Sequence, residues 1–198
     1  MAIPTDTPSM RSVRLLPALV LLAAVRVLGA ELTGTVQLAG KPVQNAVVWL
    51  DAANAPGPVQ TGRIVLDQRN LMFSPHVLVV RVGSTVDFPN NDRVFHNVFS
   101  FRDGKKFDLG MYPKGTSKRI VFDKPGLARV FCNIHPNMAA YVLAVESPYF
   151  AVSDDRGTFN ITGVPAGTYT YHAWRAGGGQ PLTGSVTVDG TQPFEIHW

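Results

Sequence analysis

The chain has 198 residues, 45% hydrophobic and only 16% charged, with 18 Gly, 15 Pro, a single Cys and a formal net charge of +4. That length allows one good-sized domain or two small ones, and so apolar a composition excludes a disordered chain. One Cys excludes an internal disulfide and any paired-Cys zinc or redox motif, and the scattered Lys and Arg exclude a basic stripe for nucleic acid.

The first element is Leu15 to Val25, an eleven-residue apolar run preceded by Arg11 and Arg14 and followed by Gly29 and Ala30. Basic start, short apolar core and small-residue exit are the pattern of a secretory signal peptide, here residues 1–30. The run is too short for a comfortable membrane span, so no stable span is expected once it is removed. Loss of residues 1–30 leaves a nearly neutral exported chain of net charge +2, periplasmic or secreted.

No window beyond residue 30 holds a useful helical period; short β-rich runs alternate with turn signals instead. Leu32–Leu38 and Ala46–Leu50 read as a hairpin through Ala39-Gly40-Lys41-Pro42, and residues 51–58 as a linker. Strands are then expected over residues 63–67, 77–82, 85–88, 97–101, 118–122, 128–131 and 140–146, and a second set over 149–152, 158–161, 168–174, 185–188 and 194–198. Between them lie turns at Asn90-Asn91-Asp92, Lys114-Gly115, Asp154–Gly157 and Val164–Gly167. This spacing predicts an all-β chain of antiparallel sandwiches.

Chemistry concentrates in Phe131-Cys132-Asn133-Ile134-His135-Pro136-Asn137-Met138, with His96-Asn97 upstream. Singly, a free Cys or a Met is more often core than ligand, and an odd thiol in an exported protein can pair between chains. Together, one thiol, two imidazoles and a thioether are the donor set of a blue-copper site: a His₂Cys plane with a weak axial Met. The thiolate is a soft, strong donor, imidazole suits both copper oxidation states, and the thioether binds too weakly to impose a tetragonal geometry. Cys-x2-His-x2-Met places three donors on one tight loop, so the fourth must come from a distant strand end. Zinc could take the same donors, although a thioether would be unusual for it. His76, His172 and His197 share no close spacing and are expected to bind nothing, and Asn160-Ile161-Thr162 fits a glycosylation sequon.

These motifs, with Phe73-Ser74-Pro75, Val82–Asp92 and Pro125-Gly126, resemble the cupredoxins over about residues 58–147, and the short metal loop looks most like amicyanin's. The resemblance implies a Greek-key β-sandwich with one copper ion, Cu(I)/Cu(II), held by His96, Cys132, His135 and Met138. It further implies that Asn97 pins the Cys loop by hydrogen bonds. Asn133, where the family often has Ser or Thr, departs from that pattern at the neighbouring loop position. The edge of His135 would be the exit for the electron, with Met111, Tyr112, Pro113 and Pro136 as the apolar surface around it. A redox protein such as a c-type cytochrome or a dehydrogenase would then be the partner.

The tail from Phe150 to Tyr169 resembles a carboxypeptidase-regulatory-like, transthyretin-like β-sandwich, and residues 32–50 look like that module's first hairpin. The expected architecture is therefore one small discontinuous sandwich, 31–54 plus 148–198, with the cupredoxin inserted in it. The functional expectation is single-electron transfer and no enzymatic activity, since four protein donors leave no open position for substrate. Copper delivery through the same donors, or ligand binding by the second sandwich with a structural metal, are the alternatives.

Overall fold

The computed structural model describes residues 30–52, 55, 60, 62–102, 104–190 and 193–198. The signal peptide expected at residues 1–30 lies outside them but for Ala30, as does most of the linker at 51–58. The described chain is all-β. Its strands are β1 (Ala30–Leu38), β2 (Lys41–Pro42), β3 (Val47–Leu50), β4 (Ile64–Val65), β5 (Asp67–Arg69), β6 (Met72–Ser74), β7 (Val77–Arg81), β8 (Thr85–Pro89) and β9 (His96–Ser100). They continue with β10 (Phe107–Tyr112), β11 (Ser117–Val121), β12 (Gly126–Phe131), β13 (Ala139–Val145), β14 (Phe150–Val152), β15 (Thr158–Val164), β16 (Gly167–Trp174), β17 (Leu182–Val188) and β18 (Phe194–His197).

Strands β4 to β13 build one sandwich. A five-stranded sheet, β10-β9-β12-β13-β7, faces the three-stranded β11-β8-β4, with the β5-β6 hairpin beside them. Alternation sets the core: Ala128 and Val130 of β12 and Val86 and Phe88 of β8 point inward with Val98, Val142 and Phe122. On the small sheet Asp87, almost fully buried, is held by Arg63 and Arg119.

Strands β1 to β3 belong with β14 to β18. β1 lies between antiparallel β15 and parallel β18, and the opposite sheet runs β14-β3-β16-β17. Their core is Leu32, Val36, Val48, Leu50, Tyr149, Phe159, Ile161, Val188 and Ile196. At Gly34 a Cβ would overlap the Phe194 carbonyl and the Phe159 ring, so only glycine lets β1 pass there. The chain thus leaves this body after β3, builds the metal-loop sandwich, and returns at β14. The two crossings lie side by side, with Leu50 N–H donating to Tyr149 O at 3.0 Å.

A third apolar cluster, Val47, Val77, Val79, Leu143, Val145 and Trp174, joins the bodies. It covers the outer face of β7 and β13, so β13 is buried on both sides. That explains why Ala139–Val145 is continuously apolar rather than alternating.

Three sequence expectations need correction. The hairpin between residues 32–38 and 46–50 does not form: β1 turns at Ala39-Gly40 into β2, while β3 crosses to the opposite sheet. Asn45, at a φ of 60°, makes the corner, where its N–H and that of Ala46 donate to the Ser153 carbonyl and hydroxyl. Strands β6 and β10 were not expected. β10 carries a register shift between Asp108 and Met111 at Gly110, φ 62°, which breaks the period-two signal.

Candidate metal centre

Four connections meet at one end of the metal-loop sandwich: the β5-β6 tip, the β8-β9 loop, the β10-β11 turn and the β12-β13 loop. His96 opens β9 there and is fully buried, while Cys132 follows the last residue of β12 and is 4% exposed. The short loop after Cys132 is closed by its own backbone. Met138 N–H donates to His135 O at 2.9 Å, and Cys132 N–H donates to Met138 O at 3.2 Å.

These elements bring three of the expected donors together. Cys132 Sγ lies 3.8 Å from His96 Nδ1 and 3.5 Å from His135 Nδ1, and the two Nδ1 atoms are 3.1 Å apart. A triangle with those edges has a central point about 2.0 Å from every corner. First-row metal bonds run to about 2.0–2.1 Å for imidazole nitrogen and about 2.3 Å for thiolate, so a slight displacement from the plane completes the fit. Met138 is 1% exposed, its side chain packed in the same core cluster as Cys132. Among the described residues no other group of three His, Cys, Asp or Glu gathers in this way. His76 is 3.2 Å from Ala139 O, His172 pairs with Asp51, and His197 with Glu195.

Sequence reading missed Asp92. Its Oδ2 accepts from Leu71 N–H at 2.7 Å and from His96 Nε2 at 3.0 Å, and its Oδ1 from Arg93 N–H at 2.7 Å. Chiefly the Leu71 N–H, against the cost of burial, and then Arg93 and His96 hold this carboxyl down at about 2. An anion fixed on Nε2 places the His96 proton there and leaves the Nδ1 lone pair for a metal, the carboxylate–His arrangement that orients such ligands. Behind it Asn90 donates to Val94 O and Tyr112 O and accepts from Asp92 N–H, which fixes the loop carrying Asp92. The only sequence signal was an acid four residues before a histidine in a turn.

Asp92→Asn would set an amide donor against one of these N–H donors. Copper affinity is expected to fall about 10- to 100-fold, measured by competition with a chelator of known affinity. Because the folded carboxyl lies below its ordinary 3.8, its contribution to the metal-free protein is present above about pH 4. It is lost as pH falls toward 2, and the substitution should flatten that part of the acid-unfolding curve.

Two expected residues do other work. Asn97 Nδ2 donates to Asp108 Oδ1 at 2.8 Å, tying β9 to the irregular stretch of β10, and its buried Oδ1 has no partner, so the expected bonds to the Cys loop are not formed. Asn133 is exposed. Tyr112, expected at the surface, is 2% exposed: its hydroxyl donates to Phe88 O and accepts from Gln68, and it pairs with His96 across the ladder.

The metal end is apolar outside. Leu71, Met72, Val94, Phe95, Met111 and Ile134 are 42–59% exposed, every one within two residues of a group that touches the donor triangle or Asp92 or pairs with β9. Pro113 and Pro136 are exposed beside them, and His135 is half-buried.

No protein-family model and no curated protein matches the chain. Among solved structures, a purple cupredoxin from Nitrosopumilus maritimus is 27% identical over 43% of this chain and 100% of its own, with a TM-score of 0.38. A reduced amicyanin mutant is 24% identical over 50% and 98%, with a TM-score of 0.40. A Cu-containing nitrite reductase from Thermus scotoductus is 23% identical over 57% of this chain and 28% of its own, with a TM-score of 0.41.

Proposed function

We propose that this chain is an exported mononuclear blue-copper protein of the cupredoxin kind that passes single electrons between redox partners. The observation that carries the reading is the Cys132–His96–His135 triangle, whose centre suits one metal ion, with a buried methionine at the end of the same loop. Copper there would supply a one-electron couple, both of whose oxidation states this donor set tolerates. The chain's own part is to keep the donors still. Backbone bonds close the loop from Cys132 to Met138, Asp92 fixes the His96 ring, and burial keeps water from His96 and Cys132. His135, half-buried among apolar residues, is the donor nearest to solvent.

In this reading residues 1–30 direct export and are removed, and no helix among the described residues is long and apolar enough to cross a membrane. The unit 58–147 is the electron carrier, inserted in a carboxypeptidase-regulatory-like sandwich, 31–54 plus 148–198, that holds it. No catalysis is assigned, because Cys132, His96, His135 and Met138 would fill the coordination sphere. The test is to titrate metal-stripped protein with Cu(II) and record visible and EPR spectra. An intense red-absorbing thiolate-to-copper band with narrow parallel hyperfine splitting is expected. An ordinary tetragonal Cu(II) spectrum without that band, from folded protein, would overturn the reading.

A further inference from the structure

The two bodies of the chain carry opposite charge. Residues 62–147 hold twelve Lys and Arg against seven Asp and Glu, a net of +5, whereas 30–52 with 148–198 hold three against six, a net of −3. Part of the positive charge rims the apolar face at the metal end. Arg93 stands between Asp92 and Val94, and Lys114 follows Pro113 in the β10-β11 turn. Both are exposed, and neither side chain has a described ion-pair partner. Arg69, also exposed, flanks the Leu71–Met72 tip and shares Asp67 at 3.3 Å. The acids nearby are already engaged: Asp92 as described, Asp67 with Arg69 and Asn91, and Asp108 with Asn97 and Gly110 N–H.

We infer that this face docks an acidic redox protein, a one-electron carrier whose own contact surface is an apolar centre rimmed by Asp and Glu. The inference rests on the electron-transfer reading and names the partner's chemistry. Apolar side chains around His135 would exclude water from the contact, while Arg93, Lys114 and Arg69 meet the partner's carboxylates and set the register. The charge split acts at longer range, since an acidic molecule is drawn to the metal end and turned away from the −3 sandwich. A symmetric face-to-face pairing with a second copy of this chain is disfavoured there, because it would bring the same cations against themselves.

The experiment uses two c-type cytochromes, one of net negative and one of net positive charge. Metal-free, isotope-labelled protein titrated with the acidic cytochrome should show shifted amides at residues 93–95, at Met111, Tyr112 and Lys114, and at Ile134 and His135, and none in β1 or β15. With copper loaded and reduced, one electron passes to the oxidised cytochrome and no proton moves. At low salt the acidic cytochrome should be reduced at least about tenfold faster than the basic one, an advantage that shrinks as salt rises. Arg93→Glu with Lys114→Glu should abolish that advantage. Lys41→Glu with Arg156→Glu, the same charge change on the far sandwich, should leave it within about twofold. Equal rates and no localised shifts, or equal damage from both variant pairs, would overturn the docking surface. Hexacyanoferrate(III) separates the failures: if it oxidises the reduced protein, only the docking inference falls; if it does not, the electron-transfer reading falls with it.

Discussion

Replacing Cys132 by serine should abolish the intense red absorption of the copper-loaded protein while leaving its fold in place. The thiolate is the only soft anionic donor in the triangle, and the absorption in question is a sulfur-to-copper transition, so a hydroxyl cannot reproduce it. His96 and His135 remain, with their Nδ1 atoms 3.1 Å apart, and can still retain Cu(II). The expected variant is therefore a nearly colourless Cu(II) protein with wide hyperfine splitting and a circular dichroism spectrum like the parent's. The near-isosteric change at a 4% exposed position costs little packing, which keeps the spectral result interpretable. A serine variant that kept the red band would show that sulfur is not the ligand.

The largest loss of stability is expected from Trp174→Ala. Trp174 closes β16, is 5% exposed, and meets Tyr141 of β13 edge-on with ring centroids 5.3 Å apart. It is the largest side chain of the cluster in which Val47 meets Val77, Val79, Leu143 and Val145. Truncating such a residue combines lost apolar burial with a cavity that neighbouring strands cannot collapse into, about 3–5 kcal/mol. Denaturant unfolding should show a large drop in midpoint, while the donor triangle, at the Phe131–Ala139 end of β12-β13, keeps its copper spectrum. A drop below about 1 kcal/mol would mean that the two sandwiches are held by something other than this contact.

Much of the site was legible in the letters, because Cys-x2-His-x2-Met is a local spacing and His96 lies at a strand end marked by its own turn. Strand positions were legible wherever one face alone is buried, as in β1 and β12. What escaped has a common cause in side-chain direction. Tyr112 and Met111 are neighbours with the same apolar character, yet the ladder pairing of Tyr112 with His96 turns it inward and leaves Met111 outside. Asp92 looks like any turn aspartate until the β5-β6 tip brings Leu71 N–H to it from 21 positions away. Asn97 keeps its place beside His96, but the bulge at Gly110 offers it Asp108 in place of the Cys loop.

The adjacency of the two chain crossings constrains the order of events in folding. Strand β1 cannot acquire its β15 or β18 neighbour, nor β3 its β14 or β16 neighbour, until residues 64–145 lie between them in some form. If that intervening stretch were still unstructured, pairing would require closing a loop of roughly a hundred residues, with its full entropic penalty. Once the intervening sandwich has folded, Leu50 and Tyr149 are delivered to each other's neighbourhood and the penalty largely vanishes. Strands β1 to β3 are thus the last to find their partners, waiting with their apolar residues uncovered. Slow folding of the middle segment would then show as aggregation seeded by these strands.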